Sequence, residues 1–388
     1  MTRSGAAFTS EPDSAKAGQE MGREIVTALD GEAPDALIVF CSSKYDYPKL
    51  LTSLRDTCNP KVMVGCSSAG EFTNAMRGEG SASALALKSA EMQFVPALGR
   101  NLTADRAAAA RQIASSFRGL RSPKFPYRAA LVLTDALAGF IDDLVESLNL
   151  ETGGTYRLFG GGAGDDANFS KTHVFFGTEA YTDAAVALEI LSHRQLGVGV
   201  RHGWRPGSAA LRVTEAEGAR LVSLNAMPAV EAFEEYAAAT GQLFDVANPL
   251  PFFLHNVIGV DAGGQFKLRV PLAVGEDGSI MCAADIPAGS TVRIMSTDNM
   301  SAAEAASSAV RDAISQIGGG KTGPAIFFDC VATRLRMGKD FGLEMEALKG
   351  ALGDASFVGC NTYGQIARVE GQFSGFHNCT ATVCVFPE

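Results

Sequence analysis

The chain has 388 residues, 46% hydrophobic and 20% charged, with a formal net charge of −10. That length exceeds one ordinary compact core and predicts two domains, while the composition is globular rather than disordered. The acidic balance excludes the clustered Lys and Arg of a nucleic-acid groove and favours a small-molecule or protein partner.

No run approaches the ~20 apolar residues of a membrane span, and residues 1–13 lack the apolar core of a signal peptide. Eight cysteines, several inside apolar runs and none in a Cys-x-x-Cys pair, predict buried thiols in a reduced, cytoplasmic protein. In chain order, Asp13 or Ser14 caps a helix over residues 15–29, with Met21, Ile25 and Leu29 on one face. The run Ala36-Leu37-Ile38-Val39-Phe40 then opens a unit that extends to residue 89. An Ala-rich helix over 104–117 ends at Gly119, and Pro123 and Pro126 mark the loop into a second unit starting at Ala129. Its crossover helix spans 140–150, with Ile141, Leu144, Val145 and Leu148 on one face.

Leu196-Gly197-Val198-Gly199-Val200 reads as a buried strand leading into a loop with His202 and the single tryptophan, Trp204. Residues 211–214 and 220–224 form a hairpin, and Pro228 opens a helix to about residue 239. Residues 252–295 read as successive hairpins, and a helix over 301–317 ends at Gly318-Gly319-Gly320. A last unit occupies 324–387 and packs beside the first two. The expected divisions are an N-terminal helix and tail (1–29), one domain over 30–225 and another over 226–388.

A repeat organises these elements. Val64-Gly65-Cys66-Ser67-Ser68-Ala69-Gly70-Glu71 recurs as Val358-Gly359-Cys360-Asn361-Thr362-Tyr363-Gly364-Gln365, with a degraded copy at Phe159-Gly160-Gly161-Gly162-Ala163-Gly164-Asp165. Each copy reads as a strand running into a tight glycine turn. Each lies 25, 27 or 31 residues after the end of an apolar run (Phe40, Leu133, Phe328), the span of a strand-helix-strand crossover. The fold class is therefore α/β: a two-part architecture of repeated strand-helix-strand units with a hairpin-rich insertion before the last unit. Glu71, Asp165 and Gln365 occupy equivalent places, where they cap the turn backbone.

Several motifs fail on spacing. Gly320-Lys321-Thr322 lacks the glycine six residues before the lysine that a phosphate loop needs, since position 315 is Ser. Gly160-Gly161-Gly162-Ala163-Gly164-Asp165 does not fit the dinucleotide fingerprint. Cys66 and Cys360 have no histidine at a nucleophile-like spacing, so a thiol enzyme ranks last among the readings. The five histidines (173, 193, 202, 255 and 377) form no zinc or covalent-haem motif; one histidine beside an apolar cavity suffices for non-covalent haem.

The whole chain from about residue 9 resembles the FIST family, a two-part sensory module of bacterial signal transduction. The resemblance is carried by the three turn motifs together with Gly197-Val198-Gly199-Val200-Arg201-His202-Gly203-Trp204 and Phe376-His377-Asn378-Cys379-Thr380. It implies a FIST N-like domain ending near Asn225, a FIST C-like domain after it, and a sensor rather than an enzyme. No kinase, GGDEF or methyl-accepting segment is read in the chain, which resembles the stand-alone, NosP-like branch of haem-binding nitric-oxide sensors. That likeness implies haem b ligated by His193 or His202, with nitric oxide weakening the iron–histidine bond. It further implies a signalling partner, a histidine kinase or a cyclic-di-GMP enzyme; self-association into a homo-oligomer is compatible with it. The alternative is a haem-free sensor of an amino acid or similar metabolite, bound by Ser67, Ser68, Asn361, Thr362 and Tyr363.

Overall fold

The three apolar runs at 36–40, 130–133 and 325–328 become the first members of parallel strand pairs in three sheets of one plan. The computed structural model describes residues 2–122, 124–319, 321–368 and 374–388. The readings of Pro123 as loop and Gly320 as helix end fall outside that range. Over the described residues each sheet has six strands. In the first, Ala36–Ser42 lies parallel to Met63–Ser68, with Ala82–Ser89 and Thr2–Thr9 added antiparallel on one side. The second repeats this with Tyr127–Thr134, Arg157–Gly162, Ala184–Ser192 and Met92–Arg100. The third uses Thr322–Cys330, Phe357–Thr362, Ala381–Pro387 and Gly197–Arg201.

The last two strands of every sheet come from another unit. After its turn, unit 1 sends Glu71–Thr73 and Arg77–Gly78 to the edge of the third sheet. Unit 3 sends Gln365–Arg368 and Ser374–His377 to the second, and unit 2 sends Val174–Phe176 and Glu179–Tyr181 to the first. The exchange is cyclic, so the three units form a pseudo-threefold ring. Their inner faces share one core containing Phe40, Cys66, Leu131, Phe159, Phe328 and Cys360, with Phe40 edge-on to Phe328 at 5.5 Å. Two helices cover each outer face. Those following the outer strands, Ser14–Ala28, Arg106–Ser116 and Asn299–Gln316, are capped alike by Asp13, Asp105 and Asp298.

The repeated first glycine lies inside a strand, not in the turn as its motif suggests. A Cβ on Gly65, Gly160 or Gly359 would sit 2.0 Å from the carbonyl oxygen of the paired residue, Val39, Val132 or Phe327. Each is therefore kept by the close approach of a parallel neighbour. The turn itself falls at Gly70 (φ +136°) and Gly364 (φ +103°).

Two expectations change. The N-terminal tail is a strand, Thr2–Thr9, whose buried residues are Thr2, Gly5, Ala7 and Thr9. Small residues suffice because the Ser14–Ala28 helix lies directly above: a Cβ on Gly5 would meet Ala28 Cβ at 2.9 Å. Unit 3 also begins at Gly197–Arg201, far ahead of the residue 324 expected from its apolar run, so the insertion interrupts it between outer strand and first helix. The insertion forms a fourth sheet, nine strands among the described residues, packed against the helix Ala229–Thr240 through Val213, Phe233, Phe253 and Ile294. It docks on the ring through Trp204, Val257, Val270 and Met295 against Cys330 and Ala332. Arg269 reinforces the dock, pairing with Asp142 at 2.6 Å and donating to the Phe376 carbonyl at 3.1 Å.

Candidate functional site

Cyclic exchange brings the three turns to one end of the ring, where their backbones bond to each other. Ala69 donates to the Asn361 carbonyl (2.9 Å) and Asn361 to the Gly70 carbonyl (2.8 Å). Gly164 donates to Ser67 (2.8 Å), Gly162 to Gly364 (2.9 Å) and Tyr363 to Gly162 (2.9 Å). Ala69, Val331 and Tyr363 pack together at this junction.

The three acid or amide positions hold the turns. Glu71 accepts from Ser68 Oγ at 2.5 Å and from the Ser81 amide and hydroxyl at 3.1 and 2.6 Å. Gln365 repeats the pattern: its Nε2 donates to Thr362 Oγ1 at 2.9 Å and its Oε1 accepts from the Thr380 amide and hydroxyl. Burial pushes Glu71 up to about 7 despite the serine donors. Asp165 accepts from the amides of Phe169, Ser170 and Lys171 and from Tyr363 Oη. Burial works to raise its pKa, but these donors together hold it below the ordinary aspartate value.

Of the five residues proposed for a metabolite, Ser67, Ser68 and Thr362 serve this scaffold. Ser67 Oγ accepts from the His173 amide (2.9 Å), and Thr362 Oγ1 donates to the Asp329 carbonyl (3.2 Å). Tyr363 and Asn361 instead reach cavity walls on opposite sides of the helix Val331–Met337. Tyr363, stacked on Phe169 with centroids 4.5 Å apart, lines a cavity of about 360 Å³. Leu137, Leu250, Leu254, Val270, Leu272 and Leu335 line it too, with Asn378 and Cys330 as further polar or soft groups. A hydrogen bond from Cys379 favours the Cys330 thiolate and brings it down to about 7, against its burial. Asn361 lies in a second cleft with Arg77, Glu79 and Arg334. The insertion residues Leu250, Leu254, Val270 and Leu272 were not anticipated as site residues. Nothing in a hairpin's alternation separates a cavity wall from ordinary core.

The histidines put forward for haem lie elsewhere. His193 is exposed after the strand Ala184–Ser192, its ring against Phe125 with centroids 4.6 Å apart. His202 accepts the Trp204 amide proton at Nδ1 and has Nε2 3.2 Å from the Phe266 carbonyl, so both ring nitrogens are engaged. Burial holds its pKa below the ordinary value. A haem ligand needs a nitrogen lone pair facing an apolar cavity, and among the described residues no histidine lines the apolar cavity. The residues as placed do not fit histidine-ligated haem. Cys66 and Cys360 sit in the shared core, and burial pushes the Cys360 thiol up, away from nucleophilic use. No helix among the described residues is long and apolar enough to cross a membrane.

Comparison with known proteins matches residues 35–227 to the FIST N domain and residues 229–368 to the FIST C domain. The uncharacterized protein MJ1623 of Methanocaldococcus jannaschii is 24% identical over an alignment of 307 residues that covers 73% of this chain. The chain spans 58% of that relative's length. Among solved structures, PurLQS from Thermotoga maritima overlays with a TM-score of 0.25 and 11% identity, over 99% of this chain and 72% of that one. The ATP complex of PurL from the same organism gives 0.22 and 12%, over 99% and 71%. Likeness at that level carries no assignment.

Proposed function

The chain belongs to the FIST family, whose domains are sensory domains of signal transduction, and from that premise we propose that it is a haem-free sensor of a small, mainly apolar metabolite. The observation that supports this reading is the cavity of about 360 Å³ whose wall joins ring residues (Leu137, Phe169, Tyr363) to insertion residues (Leu254, Val270, Leu272). Concave apolar sites with a few convergent polar groups, placed between two structural bodies, are the usual form of a ligand pocket. The ligand's apolar body lies against the leucines. One hydrogen-bonding group meets Tyr363 or Asn378, while Asp165 holds the tyrosine hydroxyl in place. A ligand bridging ring and insertion favours the state in which they are docked, and only such differential affinity can drive a signal. The docked surface is then read by a signalling partner, for which the resemblance offers a histidine kinase or a cyclic-di-GMP enzyme.

A thermal-shift screen of small apolar metabolites tests this. A ligand at 100 times its Kd stabilises by about 2.7 kcal/mol. Ala332→Leu, which fills the cavity from the Val331–Met337 helix, removes the ligand's shift without lowering the melting temperature of the free protein. A hemin titration run in parallel separates the readings. A sharp Soret band abolished by His193→Ala or His202→Ala overturns the haem-free assignment.

A further inference from the structure

The cleft on the other side of the Val331–Met337 helix has different chemistry. It has a volume of about 370 Å³ and is walled by Arg334, Arg77, Asn361, Phe72 and Phe341, with Glu79 at its edge. Arg334 is poised for a ligand. Its side chain is only 11% exposed, and its buried Nε has no hydrogen-bond partner. A buried donor without a partner costs about 1–3 kcal/mol, more for a charged group. One end of the guanidinium, Nη1, is taken by Glu79, whose side chain is 70% exposed just after the strand Arg77–Gly78. Glu79 engages Nη1, while Nε has no hydrogen-bond partner.

Arg77 also lines the cleft, its guanidinium against Gly342 at the start of the helix Gly342–Leu352; a Cβ there would meet Nη1 at 2.6 Å. Among the described residues no carboxylate pairs with Arg77. Glu71 also borders the cleft, but its carboxyl oxygens are bonded to Ser68 and Ser81. Arginine binds planar anions through two parallel N–H donors, which makes a carboxylate the matching ligand chemistry. With Glu79 on Arg334, Arg77 is the cation of this cleft that lacks a carboxylate partner among the described residues.

We propose that this cleft is a second binding site, for a small carboxylate anion held bidentately by Arg334 and capped by Arg77, with Glu79 as the protein's own removable competitor. The site is independent of the apolar cavity and of what binds there. Glu79 occupies the end of the fork when the cleft is empty and swings into solvent when a ligand carboxylate arrives.

Isothermal titration of the full chain with succinate, and with inorganic phosphate as the contrasting anion, tests the proposal. Succinate binds. Arg334→Gln, which keeps the length and polarity of the side chain, weakens it at least about tenfold, as expected for a lost charge-assisted pair. Glu79→Gln tightens binding by about threefold or more because the internal competitor is gone. Circular dichroism checks that both variants keep the fold. Absence of succinate binding in both the wild type and Glu79→Gln overturns the site, as does binding that Arg334→Gln leaves unchanged. Tighter binding of phosphate than of succinate overturns the assignment to carboxylates.

Discussion

The turn that carries Glu71 and the turn that carries Gln365 solve one problem with different charge. Both side chains are fully buried, both bond a hydroxyl three residues back, and both accept an amide and a hydroxyl from one later residue, Ser81 or Thr380. In the first turn the buried group is a carboxyl that resists ionisation, with its pKa at about 7. In the second it is an amide with no charge to desolvate. The comparison shows that the geometry needs an acceptor for Ser81 or Thr380 and a second polar atom for Ser68 or Thr362. It does not need the charge, which burial makes costly.

The largest expected effect concerns the frame both turns share. Gly359→Ala and Gly65→Ala each force a Cβ onto a carbonyl oxygen 2.0 Å away. Each should destabilise by more than about 3 kcal/mol in denaturant unfolding. Gly359 is hit harder, since Phe72 Cε2 also stands 2.3 Å from the new atom, whereas at Gly65 the nearest ring atom, Phe175 Cδ2, is at 3.0 Å. Equal and small losses would break the view of these glycines as close-approach positions.

Exchanging the two side chains tests the comparison itself. The folded pKa of Glu71 lies above its ordinary value of 4.5, so the stability tied to it is complete below about pH 4.5 and is lost as pH rises through 7. Glu71→Gln reproduces the second turn in the first. It should leave stability at pH 4 unchanged and raise it by about 3 kcal/mol at pH 8. Gln365→Glu should do the reverse, destabilising by about 2–3 kcal/mol at pH 8 and recovering on acidification. Unfolding curves of the three proteins at the two pH values decide this, and parallel curves would refute the role assigned to charge.

The smallest effect separates the donors. Ser81→Ala removes a hydroxyl from a carboxyl that is ionised above pH 7, so its cost should grow from about 1 kcal/mol at pH 4 to about 2 kcal/mol at pH 8. Thr380→Val removes the equivalent hydroxyl from a neutral acceptor and should cost about 1 kcal/mol at both.

Much of the ring was legible. The apolar runs at 36–40, 130–133 and 325–328 and the spacing to each glycine place the parallel pairs, because a crossover helix has a narrow length range. The N-terminal strand was hidden because Gly5 and Ala7 fill their positions with almost no side chain. The start of unit 3 was hidden because the insertion separates Gly197–Arg201 from its helix Asn299–Gln316. Of the site, Tyr363 and Asn361 were named from their turn. The leucines opposite Tyr363 and the arginines near Asn361 were not, since each approaches through a different sheet.

By itself the sequence determined what depends on local spacing and residue type: strand, helix, capped start, glycine where a side chain cannot fit, and membership of a family recognised by its turns. Only the tertiary structure decided which strand each hairpin joins, which side of the Val331–Met337 helix meets leucines and which meets arginine, and that no described histidine lines the apolar cavity. Those outcomes depend on pairing between residues as far apart as Val358 and Thr73 or Gln365 and Gly161. The energy of such a pairing lies in the partner's surface, which a local pattern does not contain.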